Sequence, residues 1–212
     1  EELRSEQIRF IAQNPEFLPN PSSSLRYSYI LQCFGPRVML DILTCVLSES
    51  RMIFYSRDLS KLSIILEGFR QLIYPFVWTH VYLPIVPVQL LNLVEAPVPF
   101  LLGTHSENLY YMNLHNLNEI LLIDCDNGMI MENSNSIATT DLLTSTVKFP
   151  EKEDRWLMLS LKEIHRSLGG INSTPPPPPS TSSCSTSALP WKEVECIDRM
   201  IQLLIFDVLV RF

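Results

Sequence analysis

Four prolines decide how residues 81–103 can fold. From Val81 to Gly103 the chain is almost continuously apolar, but Pro84, Pro87, Pro97 and Pro99 interrupt the run, and Gln89, Asn92 and Glu95 are set into it. Proline fixes φ, lacks an amide proton and drives its predecessor out of the helical region, so no continuous membrane-spanning helix fits here. The run must divide into short elements. A strand is predicted over 78–83, then a turn bracketed by Pro84 and Pro87, a short helix from Val88 to Val94, and a strand over 99–104.

The alternation extends in both directions. After Gly35-Pro36, Met39, Ile42, Leu43, Val46 and Leu47 recur at helical spacing, and Val38, Leu40 and Cys45 widen the face beyond a surface stripe. Ser48-Glu49-Ser50 closes that helix, and residues 51–56 read as a buried strand. Asp58 suits the N-cap of a second helix whose Leu62, Ile65, Leu66, Phe69, Leu72 and Ile73 share one side, and Tyr74-Pro75 stops it. Residues 105–118 are polar and read as loop. A strand over 119–125 and Met129–Met131 flank Asp126-Asn127-Gly128, where Asn-Gly suits a type I′ hairpin turn. A further helix from about Asp154 carries Leu157, Leu161, Ile164 and Leu168 and closes at Gly169-Gly170.

This order predicts an α/β fold: a mixed, mostly parallel central sheet with helices on both faces, followed by a C-terminal helical segment. Residues 25–170 form the α/β module, and 190–212 resume a helical pattern through Val194, Ile197, Ile201, Leu204 and Val208. Residues 1–24, with Asn14-Pro15 and Pro19-Asn20-Pro21, read as an entering linker. Residues 171–189 hold five consecutive prolines, Pro175 to Pro179, and a Ser/Thr-rich tail, the composition of a disordered loop. The opening Glu1-Glu2-Leu3-Arg4 and the closing apolar run Val210-Arg211-Phe212 suggest an excerpt of a longer protein.

Charge and cysteine usage narrow the function classes. A formal net charge of −7 opposes nucleic-acid binding and unaided attachment to an anionic membrane. Five scattered cysteines without a CxxC pair fit reduced thiols and a cytoplasmic setting.

Candidate chemistry is sparse. His80, His105, His115 and His165 form neither HExxH nor HxH, and no nucleophile elbow, P-loop or GxGxxG turn is present, so no metal or cofactor is expected. Asp124 and Asp126 are spaced to share a strand face and perturb each other's ionisation, but the same pair suits a strand end feeding an Asx turn. His80, between Trp78 and Tyr82, reads as a strand histidine with a hydrogen-bond partner rather than a catalytic one. Cys125 reads as a small core residue, because its acidic neighbours oppose thiolate formation. The run 175–179 is a formal polyproline ligand, but no adjacent Arg or Lys sets an orientation, and a spacer is the simpler reading. Phe69, Tyr74, Phe76, Trp78 and Tyr82 have the spacing of a core. Residue chemistry alone thus stops at an α/β domain with an interaction role.

A resemblance goes further. Tyr74-Pro75-Phe76-Val77-Trp78-Thr79-His80-Val81-Tyr82-Leu83-Pro84-Ile85-Val86-Pro87, then Leu90-Leu91, then Ala96-Pro97-Val98-Pro99-Phe100-Leu101-Leu102-Gly103-Thr104-His105, resembles the central DENN hallmark "YPFxWxHVYIPILP…LL…APxPFLxGxH". Upstream, Leu47 to Ser56 is similar to the family's "LLExRILFxS", and downstream Leu122 to Asn127 to its "VDLDxN". Three motifs in order span about residues 25–135, and residues 191–212 are similar to the start of the downstream DENN segment.

The resemblance implies a guanine-nucleotide exchange factor, with no covalent chemistry of its own, that binds a small GTPase of the Rab family and speeds GDP release. It implies no cofactor, since Mg²⁺ and nucleotide belong to the partner, and no direct membrane insertion. A two-lobed clamp is also implied, the GTPase held between an upstream longin-like lobe and the central and downstream segments. The polar candidates for contact, taken as exposed at strand ends and loops, are Glu49, Arg51, Arg57, Asp58, His105, Asp124 and Asp126. A non-catalytic DENN-like scaffold for GTPases or their regulators is the alternative. An α/β enzyme with a polar pocket near Asp124 and His105 is a third reading.

Overall fold

The computed structural model describes residues 27–112, 120–131, 149–169 and 191–211. The readings placed on 1–24 and 171–189 lie outside the described residues. In chain order the elements are helix α1 (Tyr27–Leu47), strand β1 (Arg51–Ser56), helix α2 (Leu59–Leu72), strand β2 (Val81–Leu83), a 3₁₀ helix (Val88–Glu95) and strand β3 (Phe100–His105). A second 3₁₀ helix (Ser106–Tyr111), strands β4 (Ile120–Asp124) and β5 (Met129–Met131), and helices α3 (Glu151–Ser167) and α4 (Trp191–Arg211) follow.

Among the described residues the strands form one five-stranded sheet in the order β2-β3-β1-β4-β5. All pairings are parallel except β4 with β5, as the mixed, mostly parallel α/β expectation requires. The connection from β1 to β2 runs one way along the sheet, and those from β2 to β3 and β3 to β4 run back. Right-handed crossovers then put α2 on one face and the two 3₁₀ helices on the other.

The two cores follow that division. Met52, Phe54, Leu101, Leu121 and Ile123 face the four α-helices. Their alternates Ile53, Phe100, Leu102, Ile120 and Leu122 pack with Leu91, Val94 and Met112 on the opposite face. Burial on both faces explains why these strands read as continuous apolar runs rather than as alternating ones.

Helix α1 is long and apolar enough to cross a membrane by length and composition alone. Its apolar side chains are nevertheless buried against the other helices, and Gly35, at φ 69°, kinks it just before Pro36. Helical pattern read only after Gly35-Pro36 therefore missed the first half, whose Tyr27, Ile30 and Leu31 are fully buried. Helix α4 joins the same core through Ile201, Ile205, Val208 and Leu209. Its buried Asp198 accepts a 2.7 Å hydrogen bond from the Ser28 amide, satisfying one of the free N–H groups at the start of α1.

Several local expectations need correction. The strand expected over 78–83 begins only at Val81, because Trp78 turns back so that its indole Nε1 donates to the Val81 carbonyl. The helix expected over 88–94 is a 3₁₀ helix, and the loop expected after His105 opens with another. The aromatic cluster does not form one core: Phe69 is buried, whereas Phe76 is 51% exposed. The hairpin turn is not type I′. Gly128 alone has positive φ, at 66°, within a four-residue loop between the paired Asp124 and Met129. Asp124 Oδ1 accepts from the Asp126 and Asn127 amides, which fixes the wider turn in place of the tight one.

Candidate functional site

β1 and β3 are neighbours whose outgoing connections leave toward opposite faces, which makes their carboxyl ends the topological switch point of the sheet. Polar side chains gather there. Ser56 and His105 are register partners at the ends of β1 and β3, and Tyr55 pairs with Asp124 at the end of β4.

Asp126, in the turn after β4, links these ends. Its Oδ1 accepts from Ser56 Oγ at 2.7 Å and from Lys61 Nζ at 3.3 Å, and its Oδ2 accepts from the Arg57 amide at 2.9 Å. Burial alone raises the carboxyl's pKa, but these three donors outweigh it and hold the group below the usual carboxylate range. Ser56 Oγ in turn accepts from the Asp58 amide, and Asp58 caps α2 by accepting from the Ser60 amide at 2.9 Å. His105 caps the second 3₁₀ helix, its Nδ1 accepting from the Glu107 amide at 3.3 Å.

Of the seven residues nominated from sequence, the fold brings Arg57, Asp58, His105, Asp124 and Asp126 together at this carboxyl edge. Glu49 and Arg51 sit at the amino edge, separated by the length of β1, roughly 20 Å at strand rise. Asp124 needs correction: it is only 7% exposed. Its carboxylate accepts from Tyr55 Oη at 3.1 Å and Asn127 Nδ2 at 2.8 Å as well as from the two turn amides. Asp124 is therefore an architectural Asx-turn residue. Sequence reasoning missed Lys61 and Ser56, although Lys61 lies three residues after the legible cap Asp58, on the first turn of α2.

Neither cysteine behind this edge is activated as a nucleophile. Burial, reinforced by Cys33 and the two aspartates, pushes the Cys125 thiol well up, and burial pushes Cys33 up to about 11. The carboxylates of Asp124 and Asp126 accept from separate donors. Among the described residues no group of three or more His, Cys, Asp or Glu is placed to hold a metal ion. His80 is half-buried ahead of β2 rather than within it, edge-on to Trp78. The carboxyl edge is a braced polar surface, suited to recognition.

The model of the DENN (AEX-3) domain matches residues 2–128. The chain belongs to the DENN family. Mouse DENN domain-containing protein 3 is 35% identical over 112 residues, covering 53% of this chain and 9% of that protein. Human DENN domain-containing protein 1B is 29% identical over 121 residues, 57% of this chain and 16% of that protein. Its mouse counterpart is 32% identical over 130 residues, 61% and 17% respectively, so the chain spans less than a fifth of these relatives.

On the structure the DENN hallmark is largely architecture. Phe100, Leu101 and Leu102 fill both cores of the central sheet. The hallmark glycine, Gly103, accepts from the Val86 amide at 2.7 Å, and a Cβ there would stand 2.0 Å from the Pro84 carbonyl oxygen. Only glycine lets the DENN proline loop lie this close to β3.

Proposed function

We propose that this DENN-family chain is one module of an exchange factor that binds a small GTPase of the Rab type and promotes release of its GDP, working from the cytoplasm and reaching trafficking membranes through its partners. The observation that carries the reading is the family match over residues 2–128, and the braced polar rim at the switch point supports it. Arg57, Asp58, His105, Asp126 and Lys61 offer both signs of charge on strand ends and a capped helix start.

Exchange by such a surface is differential binding. The factor must hold the nucleotide-free, switch-displaced GTPase more tightly than the GDP-bound form, and each 1.4 kcal/mol of that preference is worth about tenfold in rate. Rigid placement contributes because a braced rim loses little conformational entropy on docking. The partner supplies the nucleotide and its Mg²⁺; this chain supplies a surface complementary to the displaced switches.

The test is release of fluorescent GDP across a Rab panel by the full-length gene product, with Arg57→Glu as the variant. Arg57 is exposed and only its amide serves the Asp126 bracket, so the variant should fold. Acceleration that falls about tenfold in Arg57→Glu supports the reading. Tight Rab binding with no acceleration favours a scaffold.

A further inference from the structure

The amino edge of the sheet carries a feature that the carboxyl-edge reading leaves unused. A cleft of about 300 Å³ opens between the carboxyl ends of α1 and α2, the 73–78 loop and the end of α4. Leu47, Ile73, Phe76, Trp78, Phe149 and Leu209 line it, and among the described residues Glu49 is the one charged residue in its lining. Its volume falls at the lower end of the range for pockets that bury a ligand, roughly 300–1,000 Å³. Phe76 and Val77, at 51% and 74% exposed, leave a large apolar rim in water.

Glu49 sits there at a conformational cost. It is the residue after the last turn of α1, where the Glu49 amide donates to the Val46 carbonyl at 3.1 Å and the Ser50 amide to the Cys45 carbonyl at 3.0 Å. That is a Schellman cap, whose first residue beyond the helix adopts the left-handed conformation and is ordinarily glycine. Glu49 has φ 53° and is the one non-glycine residue with positive φ among the described residues. A glycine would complete the cap without the steric penalty of a Cβ. The glutamate therefore contributes something the cap does not need.

Its carboxylate is 61% exposed. The neighbouring His80 Nε2 lies 3.1 Å from Oε1 and forms an ion pair with it when protonated, but the exposed carboxylate stays accessible to a further cation from solvent.

We propose that this cleft is a second docking site, which takes a bulky apolar side chain flanked by a lysine or arginine on a partner polypeptide. The apolar walls bury the bulky group while Glu49 pairs with the adjacent cation at the rim. That combination gives affinity from the anchor and selectivity from the charge. A free acidic side chain next to the anchor meets Glu49 and is rejected. The site lies at the opposite edge from Arg57 and Asp126, so it does not depend on the GTPase reading.

The test uses the full chain and fluorescein-labelled hexapeptides in a polarisation titration. The probes are Gly-Ser-Phe-Arg-Ser-Gly and its reversed-order partner Gly-Ser-Arg-Phe-Ser-Gly, with Phe-Glu and Ala-Arg versions as controls. Saturable binding of a Phe/Arg peptide is expected, with both controls about tenfold weaker or more. Glu49→Gln should weaken that peptide about threefold or more and flatten its salt dependence. Glu49→Gly should weaken it similarly while leaving the melting temperature unchanged or raised, which separates the carboxylate's role from fold maintenance. No saturable binding of either Phe/Arg peptide, equal binding of the Phe-Glu control, or no effect of Glu49→Gln would each overturn the proposal.

Discussion

At the residue scale one carboxylate braces the carboxyl edge, and its contribution is measurable. Asp126→Asn keeps the shape but leaves one acceptor oxygen in place of two, so either the Arg57 amide or the Ser56 and Lys61 donors face an NH2 group that cannot accept, and a loss of about 1–3 kcal/mol at neutral pH is expected. Burial raises this group's pKa and its donors lower it by more, leaving the folded value below the unfolded one. The stabilisation is then complete above the unfolded value, near pH 4, and disappears as pH falls through the folded value. Urea unfolding should show a full gap between wild type and Asp126→Asn at pH 7 that narrows below about pH 4; a constant gap down to pH 2 contradicts the assignment. Asp58 was legible as a cap because capping is local in sequence. The Lys61–Asp126 pair was not, because its members are 65 residues apart and meet only through the β1–β4 pairing. Asp124 looked exposed for the same reason: nothing near it in sequence announces that Tyr55 will cover it.

At the element scale, what could be read was periodicity, and what could not was how neighbouring backbones crowd one another. β1, α2 and β3 follow their apolar patterns closely, whereas β2 is set by the Trp78 turn and the hairpin loop by Asp124. Gly128 illustrates the hidden constraint. A Cβ there would stand 1.9 Å from the Cys33 carbonyl oxygen, and the residue also has φ 66°. Gly169 has positive φ as well, but a Cβ there would meet nothing within 4 Å among the described residues. Gly128→Ala should therefore cost on the order of 3 kcal/mol, combining strain and collision, while Gly169→Ala costs only about 1 kcal/mol of backbone strain. Thermal melts of the two variants compare them directly, and equal shifts would mean that α1 does not press on the hairpin. Asp198 tests the docking of α4: Asp198→Ala leaves the Ser28 amide without this partner and should cost about 1–3 kcal/mol in chemical unfolding.

At the scale of the whole molecule, the α/β class and the family were both legible, because buried parallel strands and the proline-punctuated hallmark are sequence signals in their own right. The kind of cover on each sheet face was less so, since short 3₁₀ helices leave little periodicity. Residues 171–189 lie outside the described residues, and helix α4 beyond them joins the common core. Shortening residues 171–189 by about half should change stability by about 1 kcal/mol or less, because loop-closure entropy varies slowly with length. A large drop in melting temperature would show that the segment packs. Exchange activity belongs to this scale too, for a clamp needs more contacts than one sheet edge provides. The most direct measurement is therefore GDP release from a panel of fluorescent-GDP-loaded Rab GTPases, with residues 1–212 and the full-length gene product side by side. The expected result is acceleration of about tenfold or more by the full-length protein on at least one Rab, reduced by Arg57→Glu, with little or none from residues 1–212 alone. Folded full-length protein that accelerates release from no Rab would contradict the exchange reading, and full activity in residues 1–212 would contradict the clamp.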